Sequence, residues 1–379
     1  MINLNQGQVR NLFRCIIFEK GFYLLCVLLQ TSMDKVTVIG AGSFGIAISK
    51  LLAHNVDVLV ACRSEETLIK INHDHYIFNT KLDQRIKATT SLEEALKYSK
   101  LIFPIVPSDD FGDMIRQAAP LLSPAHILIH GTKGFVLTGI EENELETKEV
   151  KKEQVLTMSE LIRKYTSVLR IGCLSGPNLA KEILDEQPTA TVIASEFDEV
   201  IELGIQVLSS NKFFVFGSND LKGAQIAGTL KNIIAIGSGI LDGMGMGKNI
   251  QAILITRGLA EIIHFGQNMG TTSSAFLGTA GIGDLIATAT SSDSRNYQFG
   301  KRIAKGEDVH TVLKTSEELA EGVRTLRIVY HLMQTYKMRS PIIEILYKVV
   351  YEKMNILDGI NFLMRFPFKK DVDFMDEGE

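Results

Sequence analysis

The sequence predicts an α/β protein in two parts, a doubly wound parallel sheet followed by an all-helical region. Three observations predict it. Short β-branched runs alternate with helical stretches from Lys35 to Phe216, a glycine-rich turn joins the first run to the first helix, and beyond Leu221 the strand signals stop while helical spacing continues. The 379 residues exceed the size at which one hydrophobic core stops growing, so two domains are expected, 34–220 and 221–368, with the ligand cleft between them.

Residues 1–33 form an extension ahead of the first strand. Their apolar stretches, 15–18 and 22–29, are separated by Glu19 and Lys20. Neither approaches the roughly 20 apolar residues needed to span a bilayer, and no A-x-A cleavage signal precedes Met33. The segment reads as a disordered extension or a start-site artefact, without stable membrane insertion.

Lys35-Val-Thr-Val-Ile-Gly40 reads as a buried parallel strand, followed by a helix over 44–54 and further strands at 56–61, 101–106 and 126–130. Residues 139–154 carry too few apolar side chains to bury a face and read as a solvated insertion. Strands are expected again at 168–174, 189–194 and 213–216, then helices at 221–241, 249–268, 316–338 and 342–351, and an acidic tail at 369–379.

Composition narrows the function classes. A hydrophobic share of 45%, 22% charged residues and a net charge of −4 describe an ordinary globular protein and argue against nucleic acid as a partner. Small molecules are the expected partners. Cys15, Cys26, Cys62 and Cys173 are widely spaced, suggesting neither disulfides nor zinc and fitting a reducing cytoplasm. The histidines form no ligand-spaced cluster, so no metal is expected; His73 and His75 are the nearest approach.

Gly40-Ala-Gly42-Ser43-Phe44-Gly45 fits GxGxxG directly after a strand and at the opening of a helix. That is the fingerprint of a Rossmann-like dinucleotide site: Gly40 for the tight turn, Gly42 for backbone approach to a pyrophosphate, Gly45 for helix-to-strand packing. The second strand ends at Arg63-Ser64, which suits the 2′-phosphate of NADP(H), while Glu65 and Glu66 keep NAD(H) open.

Further motifs sit where ligands bind in such sheets. Lys133, after the strand ending at His130, can reach a phosphate or a carbonyl, and the Ser175-Gly176-Pro177-Asn178 loop offers backbone N–H groups to a polar ligand. Lys231 stands in an otherwise apolar helix, where a charge needs work or a partner. Asp284 is a lone carboxylate in a glycine-rich run, and in Ser294-Arg295-Asn296 the guanidinium matches phosphate oxygens bidentately.

The GAGSFG turn, the TKG and SGPNLAKE loops, the Lys231-Asn232 helix with LDGMGMGKN, the ITRGLAE helix, the GIGDL turn and the SRN triplet, in that order, closely resemble bacterial NAD(P)-dependent glycerol-3-phosphate dehydrogenases. The resemblance runs from about Val36 to Ile360 and implies interconversion of dihydroxyacetone phosphate and sn-glycerol 3-phosphate, supplying phospholipid synthesis, by a cytoplasmic homodimer. It implies Lys231 as the catalytic acid/base; Lys133, Asp284, Ser294, Arg295 and Asn296 at the substrate; and Ser43, Phe44, Arg63, Ala180 and Glu321 at the cofactor, with Lys133 and Arg295 near both; Gly176 and Asn178 of the loop join the substrate set, and Gly40, Gly42 and Gly45 of the turn the cofactor set. The chain departs from the family in its first 33 residues, in the charged insertion and in Asn178, where threonine or another small residue is common.

The chemistry is consistent with that implication. During reduction an ammonium can neutralise the developing alkoxide by donating a proton, and in the reverse direction the neutral amine accepts one. Lys231 should therefore have a lowered pKa, from burial and Lys133, limited by Asp284. A 3-hydroxyacid or ketopantoate-type reductase would lack a reason for Arg295-Asn296 beside a Gly-Asp turn, and a non-catalytic dinucleotide sensor would not need Lys231. A membrane-bound flavin enzyme would carry an acidic residue after the second strand and a basic or amphipathic anchor.

Overall fold

In the structure, a computed structural model, residues 33–315 and 320–366 are described. The extension up to Ser32, residues 316–319 and the acidic tail lie outside the described residues.

The first half opens with β1 (Lys35–Ile39), α1 (Ser43–Leu52), β2 (Asp57–Ala61) and α2 (Glu65–Ile69). A hairpin, β3 (Tyr76–Ile77) and β4 (Thr80–Lys81), precedes β5 (Ile86–Thr89), α3 (Leu92–Tyr98), β6 (Leu101–Pro104), α4 (Ser108–Ala118) and β7 (Ile127–His130). Two short strands, β8 (Val136–Leu137) and β9 (Val155–Leu156), close a loop before α5 (Met158–Tyr165) and β10 (Arg170–Ser175). Then come α6 (Ala180–Leu184), β11 (Thr189–Ser195), α7 (Asp198–Leu208) and β12 (Phe213–Ser218).

Eight strands form one sheet in the order β12-β11-β10-β7-β6-β1-β2-β5. β1 explains why an apolar run marks the centre: Val36 and Val38 are fully buried, and Thr37, equally buried on the opposite side, donates its hydroxyl to Ala95 O at 2.7 Å. Val38 lies beside Val60 on one neighbour and Phe103 on the other.

The expected parallel order needs one correction. β11 runs antiparallel to β10, and β12 runs parallel to β11, so the last two strands are reversed. The connection from Ser175 to Thr189 holds one five-residue helix, α6, too short to carry the chain across the sheet and back to the starting edge. β5 and the hairpin were not expected either: β5 is a four-residue edge strand, and the hairpin turns on Phe78 and Asn79, both at positive φ (51° and 56°).

A second correction concerns residues 139–154, expected to be solvated. Ile140, Leu145 and Val150 are 6%, 1% and 0% exposed and join the helical core, while Glu142 and Glu146 between them pair with arginines. Three apolar side chains at five-residue intervals bury a face through two 3₁₀ turns, a pattern that neither α nor β periodicity reveals.

The second half is helical: α8 (Leu221–Gly243), α9 (Lys248–Asn268), α10 (Ser274–Leu277), α11 (Asp284–Thr290), α12 (Arg295–Ala304), α13 (Val309–Thr315), α14 (Glu321–Thr335), α15 (Pro341–Tyr351) and α16 (Ile356–Arg365). α8 begins where the Asp220 carboxylate accepts from Gly223 N at 2.8 Å, and it runs buried through the centre of the bundle. It is long and apolar enough to cross a membrane, yet its apolar window is wholly buried among its neighbours. α12 packs backbone to backbone against it, since a Cβ on Gly239 would lie 1.9 Å from Tyr297 O.

Candidate active site

The glycine turn forms because two of its glycines are sterically required. Gly40 has φ +114° and a Cβ there would lie 2.0 Å from Ile105 O, while a Cβ on Gly45 would lie 2.0 Å from Gly40 O. Gly42 differs: nothing lies within 4 Å of its Cβ position, and it caps α1 without a side-chain acceptor. The first-turn N–H groups and the positive end of α1 therefore face open space, a cradle that fits a dinucleotide pyrophosphate.

That space is a cleft of about 970 Å³. Of the expected residues, Gly42, Ser43, Phe44, Gly45, Lys133, Asn178, Ala180, Lys231, Ser294, Arg295, Asn296 and Glu321 line it together. Gly40, Gly176 and Asp284 are not part of its lining and support it from behind. Arg63 is placed apart, its side chain 88% exposed and paired with Asp110 at 3.2 Å.

At one end of the cleft, α8 presents Lys231 to α11, where Asp284 and Thr288 lie four residues apart on one face. The Lys231 ammonium donates to Asp284 Oδ1 and, at 2.5 Å, to Thr288 Oγ1. Lys133 Nζ donates to Asp284 Oδ2 at 2.6 Å and to Gly176 O at 3.3 Å. One carboxylate, 1% exposed, thus faces two lysine side chains, an arrangement suited to an anionic ligand. Burial pushes the Lys231 pKa well below the ordinary lysine value; Asp284 opposes the fall and Lys133 adds to it.

Ser294 caps α12, its hydroxyl accepting from Tyr297 N at 3.3 Å, and so fixes Arg295 at the first turn. Asn296 Oδ1 accepts from Gly322 N at 2.9 Å, tying this turn to the start of α14. There Glu321 accepts from Ser108 N at 3.2 Å. Burial drives the Glu321 carboxyl up to about 7, opposed by the Ser108 hydrogen bond and the Arg295 charge. Across the cleft, Asn178 Nδ2 donates to Thr191 Oγ1 at 2.8 Å, while its buried Oδ1 has no partner among the described residues.

Sequence reasoning missed several residues here. Thr288 stands one turn after Asp284, but the glycine-rich run hides the helix that aligns them. Phe78 and Asn79 reach the cleft only through the unforeseen hairpin, and Asn232, noted beside Lys231, lines it as well. His130 is not part of that lining: it is 1% exposed and bonded to Gln225 at 3.0 Å, and burial lowers its pKa to about 4, leaving it neutral. Among the described residues no group of histidine, cysteine and acidic side chains is placed to hold a metal.

Known proteins match this chain over most of its length. The family model for the N-terminus of NAD-dependent glycerol-3-phosphate dehydrogenase matches residues 35–201, and that for its C-terminus matches 220–361. A glycerol-3-phosphate dehydrogenase [NAD(P)+] of Alcanivorax borkumensis is 38% identical over 345 residues, covering 89% of this chain and 95% of the relative. One from Staphylococcus epidermidis is 38% identical over 341 residues, covering 88% and 98%. The crystal structure of glycerol-3-phosphate dehydrogenase from Coxiella burnetii matches with a TM-score of 0.78 at 26% identity, covering 88% of this chain and 99% of the other.

Proposed function

The chain belongs to the NAD-dependent glycerol-3-phosphate dehydrogenase family, and on that premise we propose that it interconverts dihydroxyacetone phosphate and sn-glycerol 3-phosphate with Lys231 as the acid/base. The observation that carries this reading is the buried Lys231–Asp284–Lys133 cluster at the end of a cleft whose opposite wall is a dinucleotide cradle. The nicotinamide cofactor, NAD(H) or NADP(H), supplies or takes up the hydride at the central carbon.

The protein's own groups do the rest. Arg295, at the N-terminus of α12, clamps the substrate phosphate with Ser294 and Asn296 beside it. Lys133 and Lys231 attract the anionic substrate, and Lys231 gives its proton to the carbonyl oxygen during reduction and removes the hydroxyl proton during oxidation. Asp284 holds both lysines in place and limits the loss of charge on Lys231. Asn178 Oδ1 accepts from a substrate hydroxyl, and Glu321 contacts the cofactor from the start of α14.

Arg63, exposed beyond β2, supports a preference for NADP(H). The reading extends to a substrate region beginning near Asp220, a homodimer in the cytoplasm, and supply of glycerol phosphate to phospholipid synthesis.

The test follows cofactor absorbance with dihydroxyacetone phosphate and NADPH or NADH, in wild type and Lys231→Ala. Wild type is expected to oxidise the cofactor only with the phosphorylated substrate, and the variant to lose about 10²–10⁴-fold in kcat. Two cofactors bound and neither consumed by wild type would refute the enzyme reading in favour of a sensor.

A further inference from the structure

The charged stretch between β8 and β9 does more than cover the helical core. Its acidic side chains meet the arginines of α14: Glu146 accepts from Arg327 Nε at 2.8 Å and from Nη2 at 2.5 and 2.6 Å, and Glu142 accepts from Arg324 Nε. Arg324 has further partners. Its Nη1 donates to Phe135 O at 2.6 Å, and its Nε lies 3.2 Å from Asp109 Oδ1.

Two of these partners connect to the cleft. Phe135 is two residues past Lys133, Asp109 follows the Ser108 whose N–H Glu321 accepts, and Glu321 stands one turn ahead of Arg324 on α14. One guanidinium, 19% exposed, therefore joins the α4 start, the Lys133 loop, the α14 start and the 139–154 stretch. Asp109 is a poor sole counter-ion, because burial favours its neutral form. Glu142 provides the second negative charge.

We propose that Arg324, held by Glu142, is a positioning residue for the nucleotide end of the cleft, and that this Arg324–Glu142 pair is the brace that keeps Glu321 and the Ser108 peptide in register. The inference rests on Glu321 being a cofactor contact. Lys133 has its own anchor in Asp284, so the effect should fall on the cofactor and spare the substrate.

The experiment compares Glu142→Gln, Arg324→Met, Arg324→Lys, Glu146→Gln and Glu321→Gln in the full chain, reading kcat, both KM values and melting temperature. Glu142→Gln should raise the cofactor KM about threefold, the scale of a partly exposed ion pair. Arg324→Met should raise it about tenfold, with partial rescue in Arg324→Lys, and the dihydroxyacetone phosphate KM should stay near wild type. Glu146→Gln loosens the same stretch one turn away from the cleft and should lower the melting temperature without moving the cofactor KM. A raised cofactor KM in Glu321→Gln with no change in Glu142→Gln overturns the brace; an unchanged Glu321→Gln removes the reading beneath it and the brace with it. Should Arg324→Met fail to fold, the contrast between Glu142→Gln and Glu146→Gln still decides.

Discussion

Lys133 and Lys231 share one buried carboxylate: Asp284 accepts from both, through different oxygens, and separates two like charges that would otherwise face each other in the cleft. In Asp284→Asn the group that raises the Lys231 pKa is gone, while burial and Lys133 still lower it. The pKa of Lys231 falls further, so reduction, which needs the ammonium, should decline at lower pH than in wild type. Oxidation, which needs the neutral amine, should reach its plateau at lower pH. Superimposable profiles of kcat against pH in both directions would contradict this assignment. Stability should fall by about 3–5 kcal/mol in urea unfolding, the cost of uncompensated buried charge.

The glycine turn separates folding from binding. Gly45→Ala places a methyl against Gly40 O and should destabilise the packing of α1 against β1, whereas the Cβ of Gly42→Ala meets open space. Gly42→Ala should melt with wild type but bind NADPH about tenfold or more weakly in fluorescence titration, because the methyl occupies the path of the pyrophosphate. Wild-type affinity in Gly42→Ala would place the phosphates elsewhere.

Arg63 makes the cofactor preference measurable. It is tethered by the exposed pair with Asp110, so little structure is lost in Arg63→Ala. The KM for NADPH should rise about tenfold, the scale of a lost charged hydrogen bond, while that for NADH stays level. Equal changes for both would remove Arg63 from the 2′-phosphate.

Glu321 links the cofactor wall to stability. Its folded pKa is raised to about 7, so its contribution is fully present below the unfolded carboxyl pKa and is lost as pH rises through the folded value. Glu321→Gln should therefore match wild type in stability only near or below the unfolded carboxyl pKa, and exceed it increasingly as pH rises to neutrality and above, without ligand. Urea unfolding at two pH values checks this; a constant difference between the proteins would show that burial does not hold the carboxyl neutral.

Much of this arrangement was legible in the residues. Thr37 and its apolar neighbours announced a strand buried on both faces, GAGSFG marked the turn that opens onto the cleft, and an isolated lysine in an apolar helix pointed to Lys231, which meets Asp284 there. The direction of β11 was not legible, because Thr-Ala-Thr-Val-Ile-Ala has the same propensity whichever way it runs; only the short link through α6 decides. Thr288 was hidden by the glycines ahead of it, and Ile140, Leu145 and Val150 follow a spacing that belongs to no regular element. Arg324 reads in sequence as one more solvated helix charge, because its partners, Asp109, Phe135 and Glu142, all lie 182 residues or more before it.

The helix that carries Lys231 is also the one around which the second half packs, with Leu230, Ile233 and Ile234 fully buried before and after that lysine. Placing the proton donor and closing the bundle are therefore a single event. A molecule with a loosened bundle has no residual slow activity to offer, so turnover counts native molecules. During denaturant titration, the fall in rate at saturating substrate should coincide with the loss of helical signal.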